Sequence, residues 1–168
     1  MRRLKNPFLL AAAALCLSQV IGCYASVGPT FGYKTGDGFT MGGEIDAAGY
    51  IIAHANTGFF VSQAKTDDGS HVTTFYGSLG PGVYLPEINQ TSTSGIIAAG
   101  VGMVGDNRRE TNTCVLGHLG GGPSIPFGGE SGSGLVFNLI LGANFWRDGA
   151  WFFLSPQFGF SSIPKFKS

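Results

Sequence analysis

The residues able to do chemistry are few and widely spaced. Apart from the basic residues, they are the three histidines His54, His71 and His118, the cysteines Cys23 and Cys114, and the acid pair Glu44 and Asp46. The histidines do not stand at metal-ligand spacing, and Cys114 alone lies in the body of the chain to help them, so no metal set is expected. No serine sits in a Gly-x-Ser-x-Gly elbow, and His118 has no paired serine nearby for a His-Ser-acid site. Gly117-His118-Leu119-Gly120-Gly121-Gly122-Pro123 has the glycines of a phosphate loop. It lacks the Lys-Ser/Thr ending and a following helix, so packing or strand bending is the better account. Cys114 has no intramolecular partner, because Cys16 and Cys23 belong to the leader and its end. No enzyme and no cofactor are expected.

The leader is better defined. Arg2, Arg3 and Lys5 precede an apolar run from Phe8 to about Ile21, interrupted at Ser18-Gln19. That is the layout of a secretory signal peptide, and it falls short of the roughly 20 unbroken apolar residues of a spanning helix. A signal helix is expected over 1–22 and a single domain over 23–168. Val20-Ile21-Gly22-Cys23 resembles the lipobox of bacterial lipoproteins. The resemblance implies cleavage after Gly22 and acylation of Cys23, which makes membrane lipid the expected partner. Each acyl CH₂ buried in the bilayer contributes about 0.8 kcal/mol. In that family Tyr24, in place of an aspartate, favours sorting to the outer membrane. Cys23-Tyr24-Ala25 before Ser26 also fits an ordinary cleavage site, which would leave no lipid.

Composition narrows the domain further. The chain has 28 glycines, 14 phenylalanines and only 12% charged residues, against about 25% in an average soluble domain. Removing Arg2, Arg3 and Lys5 from the ten Lys/Arg leaves seven against ten Asp/Glu, so the mature chain is mildly acidic. No basic stripe recruits nucleic acid.

Glycine recurs too often for long helices, and no segment past the leader holds a 3.6-residue period. Thr35-Gly36-Asp37-Gly38, Thr66-Asp67-Asp68-Gly69-Ser70 and Arg147-Asp148-Gly149 are hairpin turns by their chemistry. Longer polar loops are expected at 86–94, 106–112 and 127–134, and a weaker turn at His54-Ala55-Asn56-Thr57-Gly58. These predict eight strands at about 26–34, 39–52, 59–65, 71–85, 95–104, 113–126, 135–146 and 150–161. The fold class is all-β, an antiparallel up-and-down meander that closes as a small barrel.

Alternation decides which kind of barrel. Leu135, Phe137, Leu139 and Leu141 share one face, and Val136, Asn138, Ile140 and Gly142 the other. Phe152, Leu154, Phe158 and Phe160 oppose Trp151, Phe153, Ser155 and Gln157. Except for Lys34, Glu44 and Asp46, the charges of the mature chain fall in or beside turns or in the C-terminal tail. Apolar outward, small polar inward and charges at the rims is the transmembrane-barrel pattern. The Gly/aromatic texture of Gly28-Pro29-Thr30-Phe31-Gly32-Tyr33 and of Trp151 to Phe160 resembles small outer-membrane β-barrel proteins, which implies that location for this chain.

In that register Lys34, Thr30, Glu44, Asp46, His118, Asn138, Asn144 and Gln157 face inward. Filling the lumen with a satisfied polar network is the favoured role for them, ahead of a binding or proton-transfer cluster of Glu44, Asp46 and His118. Three functions remain. The first is a non-enzymatic envelope lipoprotein with a structural or surface-interaction role. The second is a lipid-tethered, lipocalin-like barrel carrying a small apolar ligand. The third is an envelope enzyme acting on lipid.

Overall fold

A computed structural model describes residues 23–49, 53–85, 93–108, 111–126 and 133–162; the expected signal helix over 1–22 and lipobox residues 20–22 lie outside these. Among the described residues every regular element is a strand. They are β1 (Cys23–Lys34), β2 (Gly38–Gly49), β3 (Ala53–Lys65), β4 (His71–Gly80), β5 (Gly82–Leu85), β6 (Thr93–Asp106), β7 (Thr111–Pro126), β8 (Gly134–Trp146) and β9 (Gly149–Ser161). Apart from β4 and β5, strands that follow one another in the chain pair antiparallel, and β1 pairs β9 from Tyr24↔Ser161 to Lys34↔Trp151. Both β4 and β5 pair with β6, so together they act as one strand and close an eight-stranded up-and-down barrel.

The β4–β5 break is at Pro81, inside the segment expected as one strand over 71–85. Proline brings no N–H to a ladder and is tolerated only at edges and irregularities. Here its carbonyl still accepts from the Ala99 amide at 2.9 Å, so the wall stays joined across the break.

Turn chemistry explains the end opposite the termini. Gly36 and Gly38 have φ of 82° and Gly69 of 84°, the left-handed region that a side chain opposes. In the 66–70 turn, Ser70 N donates to Asp68 Oδ1 at 3.0 Å and Thr66 Oγ1 donates to the same oxygen. The Thr66 bond, then the Ser70 bonds, hold the Asp68 carboxyl below its ordinary range.

One expected turn is not a turn. Residues His54 to Gly58 lie inside β3, paired with β2 from Ala48↔His54 to Glu44↔Gly58. β2 runs to Gly49 and β3 begins at Ala53. The strand that was expected to begin at 59 therefore starts at Ala53, and it carries His54 and Asn56 into the lumen, both buried.

The alternation resolves as apolar outside and polar inside. Leu119, Leu139, Leu141, Val101, Phe75 and Phe152 are among the large apolar side chains exposed on the outer surface. Among the described strand residues, the charged side chain pointing outward is Lys65, one residue from a turn. Inside, the filling is layered. Lys34 pairs with Asp37 and, at 3.8 Å, with Asp106, while Arg108 reaches both acids at 3.2 and 2.6 Å, capping the short-turn end. Beneath that cap Phe60, Trp151 and Phe153 stack with ring centroids 4.2 and 4.1 Å apart. Tyr24 and Tyr84, stacked at 4.2 Å with Ile96, Val136 and Ile140, fill the end that carries the termini.

Candidate functional site

Between the two aromatic layers lies a polar one, built from both sides of the barrel. Glu44 and Asp46 stand two apart on β2 and so share a face. His54 and Asn56 stand on β3, where Asn56 is the register partner of Asp46. Ser78 comes from β4, His118 from β7 and Gln157 from β9. All seven side chains are buried.

The acids are heavily solvated by protein. Glu44 Oε2 accepts from the Tyr76 hydroxyl at 2.7 Å and from Asn56 Nδ2 at 3.2 Å, and its Oε1 accepts from Gln157 Nε2 at 2.9 Å. Gln157 Nε2 also donates to Asp46 Oδ2. His54 Nε2 lies 2.8 Å from Asp46 Oδ1, and His118 Nδ1 lies 3.1 Å from that same oxygen. His118 Nε2 faces Glu44 Oε2 at 3.6 Å, beyond hydrogen-bond range. Two absent side chains make this possible. A Cβ at Gly58 would overlap the Tyr76 hydroxyl that holds Glu44, and one at Gly142 would overlap the Phe153 ring beside His118.

The layer is connected to the next one below. Ser26 Oγ donates to Gln157 Oε1, the Tyr24 hydroxyl donates to Ser26 Oγ at 2.6 Å, and Asn138 Nδ2 donates to the Tyr24 oxygen at 2.9 Å. Ser94 Oγ then donates to Asn138 Oδ1 at 2.7 Å.

Of the residues expected in the lumen, Glu44, Asp46, His118 and Gln157 meet directly, and Asn138 joins them through Tyr24 and Ser26. Lys34 is buried at the rim, apart from that cluster, bonded to Asp37 and Asp106. Thr30 and Asn144 are buried elsewhere in the lumen, and their side-chain polar atoms have no hydrogen-bond partner among the described residues. Cys23 opens β1, paired with Gly49. His54, Asn56, Tyr76 and Ser78 join the cluster although they are not among the residues expected in the lumen. For His54 and Asn56 the signal was present: His54, Asn56, Phe60 and Ser62 alternate with Ala55, Thr57, Phe59 and Val61.

These features define a small, closed, eight-stranded up-and-down barrel with an apolar outer wall and a polar, filled lumen. No protein-family model matches the chain, and no curated protein matches it. Among solved structures, that of Neisserial surface protein A (NspA) matches with a TM-score of 0.56 and 9% identity. The match covers 84% of this chain and 97% of that one. At that identity the likeness is one of fold.

Proposed function

We propose that this chain is a non-enzymatic outer-membrane lipoprotein, anchored through acylated Cys23, whose barrel is embedded and serves a structural or surface-interaction role. The carrying observation is the outer wall. Soluble monomers rarely expose contiguous apolar patches beyond a few hundred Å², and a wall whose described outward strand residues include one charge, Lys65, offers water no polar side. The likeness to a barrel named as a surface protein agrees with that location.

Two further observations support the finer points. Cleavage after Ala25 would remove Tyr24, whose ring is fully buried against Tyr84 and whose hydroxyl links Ser26 to Asn138. Cleavage after Gly22 keeps it and leaves Cys23 at the new N-terminus. A lipid-modifying site at His118 is disfavoured by place, since that ring is enclosed in the lumen with Phe153 edge-on at 5.4 Å.

The test is to label wild type and Cys23→Ala with radioactive palmitate and wash the membranes with carbonate. The expected result is label on the wild type alone, with both chains resisting the wash. A variant that washes off as a folded domain would sink the embedded reading in favour of a tethered periplasmic barrel. An unlabelled wild type would sink the lipoprotein reading.

A further inference from the structure

The lumen cluster contains a donor set that the spacing along the chain does not reveal. His54 Nε2, Asp46 Oδ1 and a His118 ring nitrogen lie within 4.8 Å of one another, all buried. They come from β3, β2 and β7, and two of those strands face the third across the lumen. We infer that Asp46, His54 and His118 form a binding site for one divalent transition-metal ion of the zinc class, with Glu44 as the supporting carboxylate.

Geometry, hydrogen bonding and charge argue for this independently. Zinc bonds of about 2.0–2.1 Å in a tetrahedral site place neighbouring donor atoms about 3.3–3.4 Å apart. Two of the three separations, 2.8 Å from Asp46 Oδ1 to His54 Nε2 and 3.1 Å to His118 Nδ1, need only a slight widening, and all three donors lie within 4.8 Å of one another. His118 is 2% exposed, yet neither ring nitrogen has an aligned hydrogen bond. The 3.1 Å contact of Nδ1 with Asp46 Oδ1 is misaligned for a hydrogen bond; a buried polar group so poorly satisfied is costly, and a metal bond to Nδ1 would satisfy it. Nε2–H would then point at Glu44 Oε2, the carboxylate–histidine–metal arrangement that orients ligating imidazoles.

Charge closes the case. Among the described residues the ion-pair partners of Glu44 and Asp46 are these two histidines, while Lys34 and Arg108 are committed to Asp37 and Asp106. A divalent ion with neutral imidazoles makes the layer neutral. Two imidazoles and one carboxylate suit zinc and its neighbours and are poor ligands for calcium or magnesium. The ion would tie β2 and β3 to β7 and act as a staple of the lumen. The inference rests on the lumen alone and holds whether the barrel is embedded or tethered.

The site is enclosed, so loading is tested during folding. The full chain, without a histidine tag, is refolded from urea into detergent with zinc or with a chelator, desalted, and assayed for metal by mass spectrometry. About one zinc per folded chain is expected, as for a single site with three protein ligands. The His54→Gln/His118→Gln variant should hold at least about ten-fold less, and Glu44→Gln should weaken zinc binding about 10–100-fold. Folded wild type carrying no zinc, or a folded double variant carrying as much as wild type, overturns the site. Should the double variant not fold, cobalt(II)-loaded wild type decides. Intense visible bands of a tetrahedral nitrogen-ligated ion support the site, and the pale spectrum of an octahedral ion or no bound cobalt overturns it.

Discussion

Placing arginine at two depths on the outer wall separates an embedded barrel from a soluble one. Leu119 is the ninth of the sixteen residues of β7, pairs with Ile97 and Leu141 on either side, and is 59% exposed. Phe39 is equally outward, at 49%, but stands one residue inside the 35–37 turn. A thirteen-residue strand such as β8, at about 3.4 Å per residue and tilted about 40°, rises roughly 30 Å, enough to span a 25 Å apolar band. In that frame Leu119 lies near mid-bilayer and Phe39 at an interface. Arginine costs about 2–4 kcal/mol at the midplane and about 0–1 kcal/mol near the interface. With tenfold per 1.4 kcal/mol, Leu119→Arg should lower the folding equilibrium in lipid roughly 30- to 700-fold. Phe39→Arg should change it less than about six-fold. The assay is refolding into phosphatidylcholine vesicles across a urea series, with heat-modifiable gel migration reporting the folded fraction. Equal tolerance of both arginines, together with folding in plain buffer, would refute the embedded wall, because on a water-facing surface neither change costs much.

Other perturbations test the interior. Tyr24→Ala should cost about 3–5 kcal/mol, the range for truncating a buried aromatic, read as a fall in the urea midpoint; a loss below about 1 kcal/mol would mean that β1 does not begin where described. Tyr24→Phe keeps the ring and should cost about 1–3 kcal/mol through the unpaired Asn138 amide, measured in the same titration. Gly142→Ala forces a methyl into the Phe153 ring and should cost about 1–3 kcal/mol. Adding Phe153→Leu should recover part of that loss, and strict additivity in the double-mutant cycle would contradict the contact.

How much was legible follows from where alternation is long and unbroken. In β8 and β9 the two-residue period runs for more than ten positions, so parity, and with it the inward placement of Asn138, Asn144 and Gln157, could be read directly. In β3 it could not. Asn56-Thr57-Gly58 has the composition of a turn, whereas Tyr50-Ile51-Ile52, which follows β2 and precedes β3 in the sequence, has the aromatic and β-branched composition of a strand. Placing the turn at 54–58 removed His54 and Asn56 from the lumen. The approach of His54 to His118, with ring centroids 5.2 Å apart, was beyond any local reading. Residues 64 positions apart in the chain meet across the lumen only through the stagger with which the sheet closes, and that stagger depends on irregularities such as the register shift between Val61 and Lys65 and the break at Pro81.

The same lumen cluster bears on why this chain selects one register. Its outer wall is nearly uniform in chemistry, with leucine, valine and phenylalanine repeating along neighbouring strands, so outward contacts discriminate poorly between pairings. A slip of one residue on β2 would turn Glu44 and Asp46 outward, toward a wall that carries no cation at that level, and bring Ile45 and Ala47 inward. Carboxylates on the lipid face are costly, and the donors Tyr76, Asn56 and Gln157 would lose their acceptor as well. The penalty is therefore double. The two buried acids thus weigh against the neighbouring registers, because only the observed one leaves both carboxylates among their donors.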